Sequence, residues 1–519
     1  MQTRALLTAA SHRYELAKVT LSCKCSEGDG RVFPLSRPKL LPSNPQVVIR
    51  VKLLTQIHFY VYSLSVLSLC WAYLEVTTSG RYNDSIQAGA VEAAVSSELI
   101  YKHWMNTLMG YCGPFTFESG FCHRLKDYIT TNLQWVRQQI EGHPHCPYWH
   151  QVLLKGLEDG YNDQLSFPRG PFTLNPFGFL LFQMGGDLVD LEGALNKSSQ
   201  SRTLGSGSCS ALVKLLPGNK DLLVSHDTWN IYQAMLRILK KYQFAYHSDP
   251  IPGGTQAFSS YPGSIFSGDD FYILSTGLVT LETSIDNSNP ALWKFVQPTG
   301  AVMEWLRNIV ANRLAASGKE WAEIFSKRNS GTCNNQWMIV DYRHFTPGMT
   351  ETKEQLFTVL EQLPGLVVHS DKTQELLQKG YWSSYNIPCN ASGCRELVKQ
   401  FGPWFSLDMN PRAQIFRRNQ SQTWTPWYNN FKEDPLSWCE GCDPPANGEN
   451  TISARPHGGT DMKVTSYGLW REFGFLAASG PTWDQVPAFQ WSSSPYSDLM
   501  HMGHPDSWAF TPLNVTWST

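Results

Sequence analysis

The stretch "LGSGSCSALVKLLPGNKDLLVSHDTW", Leu204–Trp229, changes character at one residue. Gly and Ser fill positions 205–208 and run directly into Cys209. Two apolar runs follow, Ala211–Leu216 and Leu222–Val224, and they flank Pro217-Gly218-Asn219-Lys220. Pro-Gly is a strong turn signal, so the stretch predicts a β-hairpin centred near residue 218 or 219. Residues equally far from an antiparallel turn face each other. Cys209 therefore falls opposite the region 226–229, which carries His226 and Trp229. A thiol starts one strand at the end of a flexible segment, and the returning strand brings an imidazole and an indole to it.

Outward from the hairpin, the chain reads as a mixture of helices and strands. Ala88–Leu108 and Asp127–Ile140 have helical apolar spacing, as does Val302–Leu314, with Gly318 as its stop. Ile231–Tyr242 reads as an amphipathic helix with a Lys-Lys near its end. Phe271–Ile285 is rich in β-branched and aromatic residues, with Gly277 marking a bulge or turn, and Trp337–Tyr342 reads as a strand. Asn196–Ser208 is a linker by composition, and the chain after Phe405 is loop-rich. "SGDD", Ser267–Asp270, reads as a turn with a solvated edge. Leu53–Val76 is the longest apolar stretch. It has two readings, a displaced signal or an ordinary buried strand over Tyr60–Val66; Gln56, His58 and several Ser argue against a stable membrane span.

The 519 residues are 42% hydrophobic and 17% charged, with a formal net charge of −2. Such a balance leaves no electrostatic footprint for nucleic acid. Asn-x-Ser/Thr occurs at Asn83, Asn196, Asn390, Asn419 and Asn514, which favours a glycoprotein of the secretory pathway. In an oxidising compartment, Cys112 with Cys122 and Cys439 with Cys442 are expected local disulfides. The Cys439-x-x-Cys442 pair has no second CxxC, so no metal is expected, and no cofactor motif is present. There is no Gly-x-Ser-x-Gly, no His-Glu-x-x-His and no P-loop.

Cys209 has two readings. One is a buried strand cysteine. In the other, its thiol attacks the carbonyl of Ser208, the chain shifts from N to S, and water hydrolyses the thioester. Cys209 then becomes an N-terminus whose α-amino group, with an unperturbed pKa of about 7.7–8.0, serves as base for its own thiol.

Six segments decide between these readings. "GSCSALVKLLPGNKDLLVSHDTW", "FSSYPGSIFSGDDFYILSTGLVTLETSI", "NNQWMIVDY", "PRAQIFRRNQS", "GGTDMKVTS" and "AASGPTWDQVPAFQWSSSPYSDLMHMGHPDSW" together resemble the phospholipase B-like family, from about Trp71 to the end of the chain. The family is similar to the N-terminal nucleophile hydrolases. The resemblance implies an α+β fold, a four-layer αββα sandwich that matures by self-cleavage. It implies Cys209 as nucleophile and Asn335 as the amide of an oxyanion hole, with Asn334 the second candidate. His226, Trp229 and Ser284 would line the substrate site; Trp229 stands where relatives carry an acid, and Ser284 where the family usually has Thr. The resemblance leaves Arg412 either in the site or bracing a loop.

The expected organisation is an atypical region 1–70, an N-terminal fragment 71–208 ending in the linker, and a nucleophile-bearing fragment 209–519 that completes one catalytic fold. Residues 1–70 depart from the family pattern, residues 449–460 look shortened, and the region before Cys389 looks altered. The expected function is that of a lysosomal hydrolase acting on amide or carboxylic ester bonds, in the lysosome lumen. Its expected partners are a small-molecule or lipid acyl substrate and a second copy of the chain in a homodimer. The alternative is a catalytically silent lysosomal glycoprotein that binds or carries.

Overall fold

The computed structural model describes residues 20–24, 47–52, 58–63, 71–78, 84–112, 120–141, 158, 161, 177–197, 209–245, 251–285, 287, 289–349, 354–388, 406–420, 456–481 and 487–517. The fold is α+β and is built on two large sheets. The strands in chain order are β1 (Thr20–Lys24), β2 (Val47–Lys52), β3 (His58–Ser63), β4 (Trp71–Thr77), β5 (Cys209–Leu215), β6 (Leu222–Ile231), β7 (Arg237–Gln243), β8 (Thr255–Ser260), β9 (Phe271–Leu274), β10 (Leu278–Ser284), β11 (Asn335–Asp341), β12 (Phe357–Leu363), β13 (Leu366–Asp371), β14 (Tyr381–Ser384), β15 (His457–Ser466), β16 (Phe475–Ser479), β17 (Phe489–Gln490), β18 (Ser507–Trp508) and β19 (Leu513–Val515). The larger sheet runs β1-β2-β3-β4-β7-β8-β9-β10-β11-β12-β13, and the smaller β14-β5-β6-β15-β16-β19.

Strand alternation sorts the side chains into two cores. Leu239, Ile273, Val279, Leu281, Met338 and Val340 of the larger sheet meet Ala211, Val213, Val224 and Ala477 of the smaller. On the opposite face of the larger sheet, Ile238, Tyr242, Trp337, Ile339 and Leu360 pack with residues of the helices Asp84–Thr107, Gly120–Glu141, Glu304–Leu314 and Gly318–Phe325. On the smaller sheet, Leu212 packs against Ala413 and Phe416 of the helix Pro411–Asn419.

The hairpin forms as its sequence predicts. β5 and β6 flank a turn at Pro217–Asn219 in which Gly218 takes φ 72°, and Cys209 pairs with Thr228 inside the expected 226–229 window. Gly277, at φ 85°, turns β9 into β10. Tyr60–Val66 overlaps β3, and among the described residues no helix is long and apolar enough to cross a membrane. Cys112 and Cys122 are joined by a disulfide. Cys389, Cys439, Cys442, Asn83 and Asn390 lie outside the described residues. Asn196 and Asn514 are exposed, and Asn419 ends the helix Pro411–Asn419.

Three expectations need correction. Ile231–Tyr242 is not a helix: a short 3₁₀ turn, Tyr232–Ala234, precedes strand β7. Of the Lys-Lys pair Lys240 is buried against Glu92, and Arg237 on the same strand is buried against Asp269. Gly318 does not stop a helix but starts the next one, because the Ser317 side chain accepts the Glu320 backbone N–H. The described chain after Phe405 is rich in turns, as its composition suggests, and it also supplies β15, the long central partner of β6. Finally, Ser267, Asp269 and Asp270 are buried rather than solvated.

Candidate active site

A cavity of about 400 Å³ opens where the two sheets and the helices meet. Cys209, Trp229, Ser284, Asn334 and Asn335 line it, as do Asp269, Asp270, Glu282, Glu304 and Cys333. Tyr111, Leu181, Phe182, Leu188, Tyr261 and Phe266 give it an apolar flank. The structure thus gathers Cys209, Trp229, Ser284 and Asn335 around one space. His226 is not among the lining residues. It is buried two positions along β6 from Thr228, and its Nε2 lies 2.9 Å from the Glu282 carbonyl oxygen. Burial, then the charge of Lys463, pulls its pKa well below the ordinary range, so it is a neutral imidazole.

Cys209 is 3% exposed. Burial pushes its thiol well up; Glu282 and Asp270 add to that, while Lys463 and the Trp229 backbone N–H oppose it. The strand that bears it is held by Arg412, whose Nη1 donates to the Cys209 carbonyl at 2.9 Å and to Ser210 Oγ at 3.2 Å. Its Nη2 donates to Asn386 Oδ1 at 2.6 Å, and Asn386 Nδ2 donates to the Ser284 carbonyl at 2.6 Å. The guanidinium also lies 5.7 Å from the Trp229 ring centre. Arg412 therefore braces the backbone of two cavity strands.

Ser284 and Asn335 pair directly across β10 and β11. Asn335 Nδ2 lies 3.4 Å from Cys333 Sγ. Asn334 instead donates its side-chain amide to Asp190 Oδ2 at 3.0 Å and to the Gly331 carbonyl at 3.0 Å. That use fits a turn brace better than an oxyanion donor.

The largest feature missed from sequence is a buried ion network. A bulge between Gly459 and Asp461 shifts β15 so that Asp461 pairs with Thr228 and Lys463 with His226. Lys463 then donates to Asp461 at 2.6 Å, Thr228 Oγ1 at 2.6 Å and Asp269 at 2.9 Å. Arg237 also pairs with Asp269 and, at 2.5 Å, with Asp461. All four ionic side chains are fully buried. Burial alone would keep Asp269 protonated, but Arg237 and Lys463 hold it well below the usual carboxylate range. Beside the network, Asp227 Oδ2 accepts the Trp229 indole N–H at 3.0 Å. Only the adjacent pair "DD" could have signalled the network, and adjacent aspartates usually mark turns.

Other carboxyls are pushed the opposite way. Burial, above all, raises Asp187 to about 6 and Asp227, Asp270, Glu282 and Glu304 well above their ordinary values. Each keeps a proton that the unfolded chain releases. That stability is complete at low pH and is lost as pH rises through the folded values. His103 and His504, buried and pushed down to about 3, act in reverse with His226: their contribution is lost as pH falls below about 6.5. The carboxyls raise stability as pH falls toward about 4, and His103 and His504 oppose them between about pH 6.5 and 3. The melting temperature should therefore rise on acidification from pH 8 and peak between about pH 4 and 6. A melting temperature that climbs steadily from pH 5 to 8 would contradict this assignment.

The chain is similar to known proteins over most of its length. The family model for phospholipase B matches residues 60–515. The chain is 57% identical to phospholipase B-like 2 of Homo sapiens over 491 residues, covering 86% of this chain and 83% of the relative. It is 36% identical to a phospholipase B-like 2 of Caenorhabditis elegans, covering 97% and 93%. It is 35% identical to phospholipase B-like protein B of Dictyostelium discoideum, covering 88% and 85%. These names record likeness to phospholipase B rather than a demonstrated reaction.

Proposed function

The chain belongs to the phospholipase B family, and on that premise we propose that it is an acyl hydrolase whose nucleophile is Cys209, exposed by self-cleavage. One observation carries this reading: Cys209 is the first residue of an inner strand and lines the cavity beside Trp229, Ser284 and Asn335. The packing of helices on the larger sheet, and of that sheet on the smaller, supports the αββα arrangement of an N-terminal nucleophile hydrolase. Residues 71–208 and 209–519 are then two fragments of one catalytic fold, matured in the lysosome lumen.

In the uncut chain burial keeps the thiol protonated. Attack on the Ser208 carbonyl forms a thioester and frees the Cys209 amino group; water then releases the Ser208 carboxylate. The new α-amine takes the thiol proton, and the thiolate attacks the substrate carbonyl. The side-chain amide of Asn335 stabilises the oxyanion. Collapse expels an amine or alcohol and leaves an acyl thioester, which water hydrolyses. His226 ties β6 to the β10 backbone at the Glu282 carbonyl, and Arg412 fixes the Cys209 carbonyl.

The fully buried ions and raised thiol favour a second reading, a binding protein without turnover. A panel of N-acyl amides and phospholipid acyl esters at about pH 5 separates the two. Release of free acyl acid supports the hydrolase; saturable binding with no acid released supports the carrier. Sedimentation velocity on the same sample tests the homodimer.

A further inference from the structure

A second chemical centre shares the cavity. A carboxylate oxygen of Asp270, one of Glu304 and the Sγ of Cys333 all lie within 4.8 Å of one another. They come from three separate places: the turn before β9, the first turn of the helix Glu304–Leu314, and the turn before β11. No sequence spacing could join them.

Glu304 is 2% exposed, and its Oε1 has no hydrogen-bond partner among the described residues. A buried carboxylate oxygen left unsatisfied costs free energy. Gly186 leaves room for the sulfur, since a Cβ there would stand 2.3 Å from Cys333 Sγ. Asp187 and Glu282 are further carboxyls around the group, and Arg307 is a cation that faces Glu304.

We propose that Asp270, Glu304 and Cys333 form a binding site for a zinc-class divalent cation that faces the catalytic cavity. Two carboxylates and one thiolate make three protein ligands, and the cavity side is left as the open position of a tetrahedral site. The thiolate disfavours magnesium and calcium, which take oxygen ligands. Binding releases the Cys333 proton, and those on the carboxyls, to solvent, so affinity falls as pH falls.

Cobalt(II) is the probe, added to the purified full chain at pH 7.5. One equivalent should bind and give a near-ultraviolet thiolate-to-cobalt charge-transfer band, and zinc should displace it. Cys333→Ser should lose the band, Glu304→Gln should weaken binding by at least about tenfold, and Cys209→Ala should keep both. Melting curves of each variant, read without metal, identify any that fail to fold. Absence of the band and of bound cobalt in the wild-type chain would overturn the proposal. So would a band that survives Cys333→Ser and vanishes in Cys209→Ala. The readout needs neither turnover nor self-cleavage, so failure here is distinct from failure of the nucleophile assignment.

Discussion

Cys209→Ala should fold like the wild type yet lose acyl hydrolysis by about 10³-fold or more. The side chain is small, and its removal from β5 deletes one sulfur from a wall that Arg412 and the β6 ladder still hold. Stability should change by about 1 kcal/mol. Cys333, the other free cysteine whose side chain is described, cannot take over in place: it lies in the turn leading into β11 and has no adjacent amino terminus to act as base. Rates on the best substrate of the panel, with urea midpoints alongside, check this. Turnover within a few fold of wild type would remove Cys209 from the mechanism.

Asp269→Asn should be the most destabilising single change around the cavity, at about 3–5 kcal/mol. Asp269 is the carboxylate shared by Arg237 and Lys463, and it also accepts from Ser259 at 2.8 Å and from Ser267 at 2.7 Å. The amide removes one negative charge and leaves two buried cations facing Asp461 alone. The exposed pair Arg417–Asp408 is the control, because solvent screens it. Asp408→Asn should cost less than about 1 kcal/mol. Urea midpoints compare the two, and equal midpoints would mean that the network contributes no more than a surface pair.

The hairpin was legible because local chemistry decides it. Pro217-Gly218 sets the turn, and counting outward from it places Cys209 against β6. Phe271–Ile285 and the strand before Tyr342 were legible for the same reason, since their alternating apolar residues face two buried cores. β7 misled because Arg237 and Lys240 look like solvent-facing charges; only the tertiary partners Asp269 and Glu92 reveal that they are buried. Lys463 and Asp461 were invisible for a related reason, a bulge more than two hundred residues away from Cys209 that sets which face they take. The candidate site was named by resemblance for Ser284 and Asn335, whose direct pairing across β10 and β11 no local pattern encodes.

Self-cleavage before Cys209 is the claim on which the rest depends. Expression in a secretory host, incubation at about pH 5 and N-terminal sequencing of the products test it most directly. The predicted result is a fragment beginning Cys-Ser-Ala-Leu-Val, absent from Cys209→Ala. An intact chain, or the same cut in the variant, would contradict it.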